Sequence, residues 1–187
     1  LLLAPAIPML FMGEEHGAAE PFLFFVDFEG ELAEAVRKGR RRELERFPGF
    51  HPEEERPTPD PCARASLEQS AIDWSMQSDA LHAAWLRHCR ELLAIRAREI
   101  MPRLDKPMGA PAFFRLEPGD LLTVQWEFGD GDRLTVLALP SATPRSGAIT
   151  VAGRPIWMSE GAVLENGALR DLPPWFTGWF LAEARRS

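Results

Sequence analysis

Apolar positions change their spacing twice along this chain. At its start Leu1-Leu2-Leu3-Ala4 reads as the end of a buried element and Pro5-Ala6-Ile7-Pro8 as a rigid entry. Met9-Leu10-Phe11-Met12 is then a continuous apolar run that stops at Gly13, the length of a strand buried on both faces. Residues 31–47 take a 3.6-residue period, with Leu32, Ala35, Val36, Gly39 and Phe47 on one face and Arg and Glu on the other. That spacing predicts a helix. Gly39 in its middle costs ~1 kcal/mol relative to Ala, and it either permits close packing or splits the segment. Pro48, Gly49, Pro52, Pro57, Pro59 and Pro61 predict an extended loop from Phe47 to Pro61, in which Glu53-Glu54-Glu55 is a solvated run. Residues 79–99 give the clearest helix, with Leu81, Trp85, Cys89, Leu92 and Ile95 along one stripe. Ser78 or Asp79 is its expected N-cap, and Pro102 lies just beyond its end.

After Pro107 the period falls to two. Leu122, Val124, Trp126 and Phe128 alternate with Leu121, Thr123, Gln125 and Glu127, which predicts a half-buried strand. Gly129-Asp130-Gly131-Asp132 turns the chain, and residues 133–139 return as the second arm of a hairpin. Further strands are expected at 111–117, 148–158 and 175–183, and Asn166-Gly167 is a turn between Val163-Leu164 and Ala168-Leu169. Many short strands separated by turns predict a small antiparallel β-sandwich.

Gly13 opens into an acidic pair and then a long aromatic loop. In an α/β barrel, a buried strand ending this way marks the ligand-binding face. The expected fold is therefore α/β plus β. Residues 1–104 read as the C-terminal end of a (β/α)8 barrel, its last strand and following helices, and residues 108–187 as the β-sandwich. A secretory signal is the other reading of the opening run. It lacks a basic flank, holds two prolines and is followed by Glu14-Glu15 rather than small residues.

Composition narrows the partners. The formal net charge of −7 disfavours nucleic acid and anionic membrane surfaces. No stretch reaches the ~20 apolar residues of a membrane helix. The two cysteines, Cys62 and Cys89, have no metal-ligand or redox-motif spacing; as free thiols they fit a cytoplasmic protein, and a single disulfide is the other reading.

The candidate chemistry is carbohydrate recognition. Glu14 and Glu15 are conspicuous, but a glycosidase needs two carboxyl groups facing each other roughly 5 to 10 Å apart, and neighbours after a strand point in different directions. One of them is expected to orient the loop or accept a bond from a sugar hydroxyl. Pro21-Phe22-Leu23-Phe24-Phe25-Val26-Asp27-Phe28 combines rings that can stack on a sugar face with a carboxylate that can accept its hydroxyls; the same rings could simply pack the loop. Arg37, Lys38, Arg40, Arg41, Arg42 and Arg46 are interspersed with Glu31, Glu34, Glu43 and Glu45, which predicts a solvated, ion-paired helix face. The histidines, His16, His51, His82 and His88, form no ligand set, and no metal, phosphate or dinucleotide motif is present, so no cofactor is expected. Trp157, Trp175 and Trp179 are candidates for a sugar platform or for sandwich core.

The ordered series PAIPMLFMGEE, PFLFFVDF, ELAEAVRKGRRREL, DP, IDW and LHAAWLRHCRELLAIR resembles the C-terminal part of the malto-oligosyltrehalose trehalohydrolases, within the α-amylase superfamily. Leu44 stands where that pattern has an aromatic, and the stretch Cys62–Gln69 departs from it. The resemblance implies a barrel followed by a β-sandwich. It implies hydrolysis of the α-1,4 bond next to a terminal trehalose unit by a retaining mechanism, with an aspartate nucleophile, a glutamate acid/base and a second aspartate. No position here matches any of the three. The chain is then expected to supply part of the substrate wall through Glu14, Phe24, Phe25 and Asp27, with malto-oligosyltrehalose or α-glucan as partner. A glycogen-branching or debranching relative and a non-catalytic glucan-binding module are the alternatives.

Overall fold

The computed structural model describes residues 1–47, 58–105 and 110–184. The chain divides into two compact units, one of Leu1–Met9 with Arg87–Ser187, the other of Leu10–Leu86.

The first unit is built on eight antiparallel strands: β1 (Phe113–Glu117), β2 (Leu121–Glu127), β3 (Arg133–Ala138), β4 (Arg145–Thr150), β5 (Arg154–Met158), β6 (Val163–Glu165), β7 (Ala168–Leu172) and β8 (Thr177–Ala182). One sheet has the order β1-β2-β3-β8-β5 and the other β4-β7-β6. The alternation read in residues 121–139 sets this arrangement. Leu134 and Val136 of β3 pack with Trp179 and Leu181 of β8 on one face, beside Ile95, Ile100 and Leu3. Leu137 and Leu139 lie on the other face with Phe180, Leu169 and Leu172, so that cluster draws on both sheets. β3 and β8 are thus covered on both sides, and Leu134 and Phe180 are fully buried. Trp126 stacks on Trp179 with ring centres 5.8 Å apart and planes 10° from parallel. Trp179 is therefore core rather than a sugar platform, and Trp157 sits beside His88 at 5.5 Å.

Turn chemistry follows the sequence at Asn166-Gly167, where both residues take positive φ (50° and 75°) between β6 and β7. It departs at 148–158. The single expected strand is two, β4 and β5, divided at Gly153. Gly153 has φ +89°, and a Cβ there would stand 2.3 Å from the carbonyl oxygen of Leu181. The chain must bend where it crosses the β8 backbone, and only glycine fits.

The second clear departure is the opening run. Met9–Met12 forms no strand, and Ile7 and Met9 are 95% and 80% exposed. A strand needs neighbours for its backbone N–H and C=O groups, and none of the described strands pairs with it. The preceding segment is fixed by a side chain. Arg96, buried, donates to the carbonyl oxygens of Leu2 (3.0 Å), Ala4 (2.6 Å) and Ala6 (2.6 Å). Arg96 opens a π-helical stretch, Arg96–Ile100, that continues α3 (Ala80–Ile95). The same stretch carries Glu99, which pairs with Arg98 and Arg154. One turn on, Arg103 donates to Asp132 at 2.7 Å, a carboxylate only 1% exposed.

The second unit holds α1 (Gly30–Leu44), α2 (Arg64–Gln69), two 3-10 turns at Glu14–His16 and Trp74–Ser78, and the start of α3. α1 runs unbroken through Gly39, where a Cβ would meet nothing within 4 Å, so that glycine neither splits the helix nor serves close packing. Its basic run is ion-paired, as expected: Arg37 with Glu34, Arg40 with Glu43, Arg41 with Glu45. The proline-rich reading of 48–57 falls outside the described residues.

Candidate functional site

The acidic turn is shaped by Gly13. Its φ is +87°, it is buried, and a Cβ would lie 2.5 Å from that of Ala18. Glycine alone lets the chain curl into the 3-10 turn that follows. There the two carboxylates separate. Glu14 folds back, accepting the Phe11 N–H at 2.8 Å through Oε2. Its carbonyl oxygen accepts the indole N–H of Trp85, also at 2.8 Å. Glu15 turns the other way and stands 3.3 Å from Nδ1 of His16. No carboxylate pair faces across a gap at this turn, as adjacent positions require.

His16 is fully buried, and its Nε2 has no hydrogen-bond partner. The ring lies 5.8 Å from that of Trp74, and its backbone carbonyl accepts Nδ1–H of His82 at 2.8 Å. Sequence patterning gives no sign of this packing, because a single histidine after a carboxylate carries no period.

The aromatic loop is strapped to the segment around α2. The Val26 N–H donates to the Pro61 carbonyl at 2.8 Å and the Leu23 N–H to Ser70 Oγ at 2.9 Å. Ser70 and Ser66 are themselves buried, their hydroxyls donating to the Ser66 and Asp60 carbonyls. Phe24 lies under the Arg40 guanidinium at 5.5 Å. Phe25, Val26 and Asp27 line a groove of about 610 Å³ together with Cys62, Arg64 and Leu67. Phe22 bridges Phe25 (5.9 Å) and Phe11 (5.1 Å) edge to face. Phe25 and Asp27 therefore share one groove, Phe24 faces α1, and the Glu14 carboxylate caps its own turn.

Asp60 is a clasp that the DP dipeptide alone does not reveal. It accepts from Arg37 at 2.9 Å and from the Cys62 N–H at 2.9 Å. The Arg37 guanidinium, with that N–H, holds its carboxyl below the usual carboxylate range. One aromatic ring, an exposed carboxylate and an arginine lining the groove suit recognition of a hydroxyl-rich ring rather than bond cleavage. Among the described residues no three His, Cys, Asp or Glu side chains group as a metal site.

Comparison with known proteins decides the relationship. A trehalohydrolase from Rhizobium sp. (strain M-11) is 42% identical over 174 residues, which is 92% of this chain and 27% of that protein. Those from Arthrobacter ramosus and Deinococcus radiodurans are 36% and 35% identical over 81% and 76% of this chain. The chain is a relative of the malto-oligosyltrehalose trehalohydrolases. It spans about a quarter of the length of these trehalohydrolases, 23 to 27%. A crystal structure of a Salmonella typhimurium protein assigned provisionally to the alpha amylases is 34% identical, with a TM-score of 0.79, over 98% of this chain and 29% of that one. No family model matches.

Proposed function

We propose that the chain is the C-terminal part of a glycoside hydrolase of the α-amylase family that releases trehalose from malto-oligosyltrehalose. In this reading residues 1–104 close a (β/α)8 barrel and residues 108–187 form its C-terminal β domain. The reaction is cleavage of the α-1,4 bond next to the terminal trehalose unit, in the cytoplasm, as a step of trehalose formation. The nucleophile, acid/base and transition-state-stabilising carboxylates belong to a part of the enzyme outside these residues. Glu14, Phe24, Phe25 and Asp27 are proposed as substrate wall, with the groove beside Phe25 and Asp27 as the surface that meets sugar.

The observation that carries this reading is the 42% identity to a trehalohydrolase over 92% of the chain. The exposed apolar run from Ile7 to Met9 supports the barrel assignment, because backbone and side chains of that kind are covered when neighbouring strands flank them. The test is to give the longest encoded form of the protein malto-oligosyltrehalose and assay the products. Trehalose with a shortened maltodextrin is expected. Maltose or branched glucan without trehalose would move the protein to an amylase or branching activity.

A further inference from the structure

Trp175 is held out in solvent by a backbone that a tryptophan does not favour. Its side chain belongs to a residue 66% exposed, and its φ is +60°, in the left-handed region that a bulky residue with a Cβ avoids. The surroundings enforce that conformation. Pro173 and Pro174 precede it, its N–H donates to the Ser141 carbonyl at 3.1 Å, and the next residue, Phe176, is an anchor 1% exposed. The Phe176 carbonyl in turn accepts the Leu139 N–H at 2.8 Å. Residues kept in sparsely populated conformations gather at ligand clamps. The other tryptophans of this unit behave differently, Trp126 and Trp179 stacking together and Trp157 lying against His88.

A protein partner needs a broad apolar patch. The surface residues that flank Trp175 in the chain and at its hydrogen-bonded neighbour Ser141 are small, polar or proline, among them the exposed Thr143, Asp171 and Pro174. A single exposed ring in such a setting matches one sugar ring, whose C–H face stacks on it and whose hydroxyls meet polar neighbours. The acidic balance of the chain, −7, disfavours a nucleobase as the stacked ring. Trp175 also lies at the end of the strands opposite the Arg103–Asp132 pair, since β3 runs from Arg133 by that pair to Ala138 and β8 starts at Thr177.

We propose that Trp175 is a glucan-binding platform on the β unit, stacking on a glucose ring of an α-1,4-glucan. It takes its ligand class from the function proposed above but not its site, which belongs to other residues than the groove beside Phe25. The experiment is an NMR titration of the 187-residue chain with maltoheptaose, following the six tryptophan indole N–H signals. Trp175→Phe identifies the signal of this residue. A saturable shift of that signal is expected, with binding, read in Trp175→Ala from the backbone amide of residue 175, weakened roughly tenfold or more while the melting temperature holds. A Trp175 signal that stays in place up to the solubility of the sugar overturns the proposal. The two readings fail separately. Trehalose release with an unmoved Trp175 signal removes the platform and keeps the enzyme; a moved signal without trehalose release does the reverse.

Discussion

Trp85 grips Glu14 across 71 positions of sequence: its indole N–H donates to the Glu14 carbonyl oxygen at 2.8 Å. The same ring lies over Gly17, where a Cβ would come within 3.5 Å of it. The acidic turn is thus held from outside by a helix residue. Trp85→Phe keeps most of the ring and deletes the donor. A loss of about 1 kcal/mol is expected, with faster hydrogen exchange at the amides of His16 and Gly17. Unchanged exchange at those two amides would show that the turn holds itself.

Gly13 leaves less freedom. Gly13→Ala adds a Cβ 2.5 Å from that of Ala18 and keeps φ at +87°. A cost of about 2 kcal/mol or more is expected, read as a lowered melting temperature. On the function proposed above, the same substitution in the longest encoded form is expected to lower trehalose release, because the turn carrying Glu14 shifts.

Asp132 and Arg103 form an ion pair out of water, with side chains 1% and 14% exposed. Asp132 Oδ1 also accepts the Ala184 N–H at 2.9 Å. Removing Asp132 leaves the Ala184 N–H without its acceptor and Arg103 with only the Glu99 carbonyl and Glu183 among the described residues. Asp132→Ala is expected to cost about 3 kcal/mol in urea unfolding. A cost below that of an exposed pair, about 1 kcal/mol, would contradict the geometry.

Glu99 supplies a pH dependence. Its hydrogen bond from Arg154, aided by Arg98, holds its carboxyl below the usual range, against the opposing effect of burial. A carboxylate depressed in the folded state stabilises fully above its unfolded pKa, about 4.3, and that stabilisation is lost as pH falls through the folded value. The urea midpoints of the native protein and of Glu99→Gln are therefore expected to differ at neutral pH and to converge in acid. A gap that stays constant would assign the effect to packing.

The strands of the β unit are readable because one physical rule produces them: alternation between two faces, with glycine or asparagine at the turns. The rule misses Gly153 because its role depends on the passage of the Leu181 backbone, which no local pattern records. α2 is invisible to the rule for a different reason. Its buried residues are polar, Ser66 in the helix and Ser70 just after it, held by hydrogen bonds to backbone carbonyls. The stripe of α3 is legible in full but buried only in its second half, at Cys89 and Ile95, whereas Leu81 and Trp85 are 75% and 50% exposed. In the candidate site, the separation of Phe25, which lines the groove, from Phe24, which meets Arg40, was implicit in their adjacency. The retreat of the Glu14 carboxylate onto its own turn was not, since it rests on the left-handed Gly13.

Arg96 and the cluster around Leu3 set an order of events during synthesis. Leu3 packs with Trp179 and Leu181, at the far end of the chain, and the carbonyls of Leu2, Ala4 and Ala6 wait for the Arg96 guanidinium. None of these partners exists when residues 2–6 leave the ribosome. The cluster around Leu3 is therefore completed only once β8 has emerged, which makes it a late, long-range contact in folding.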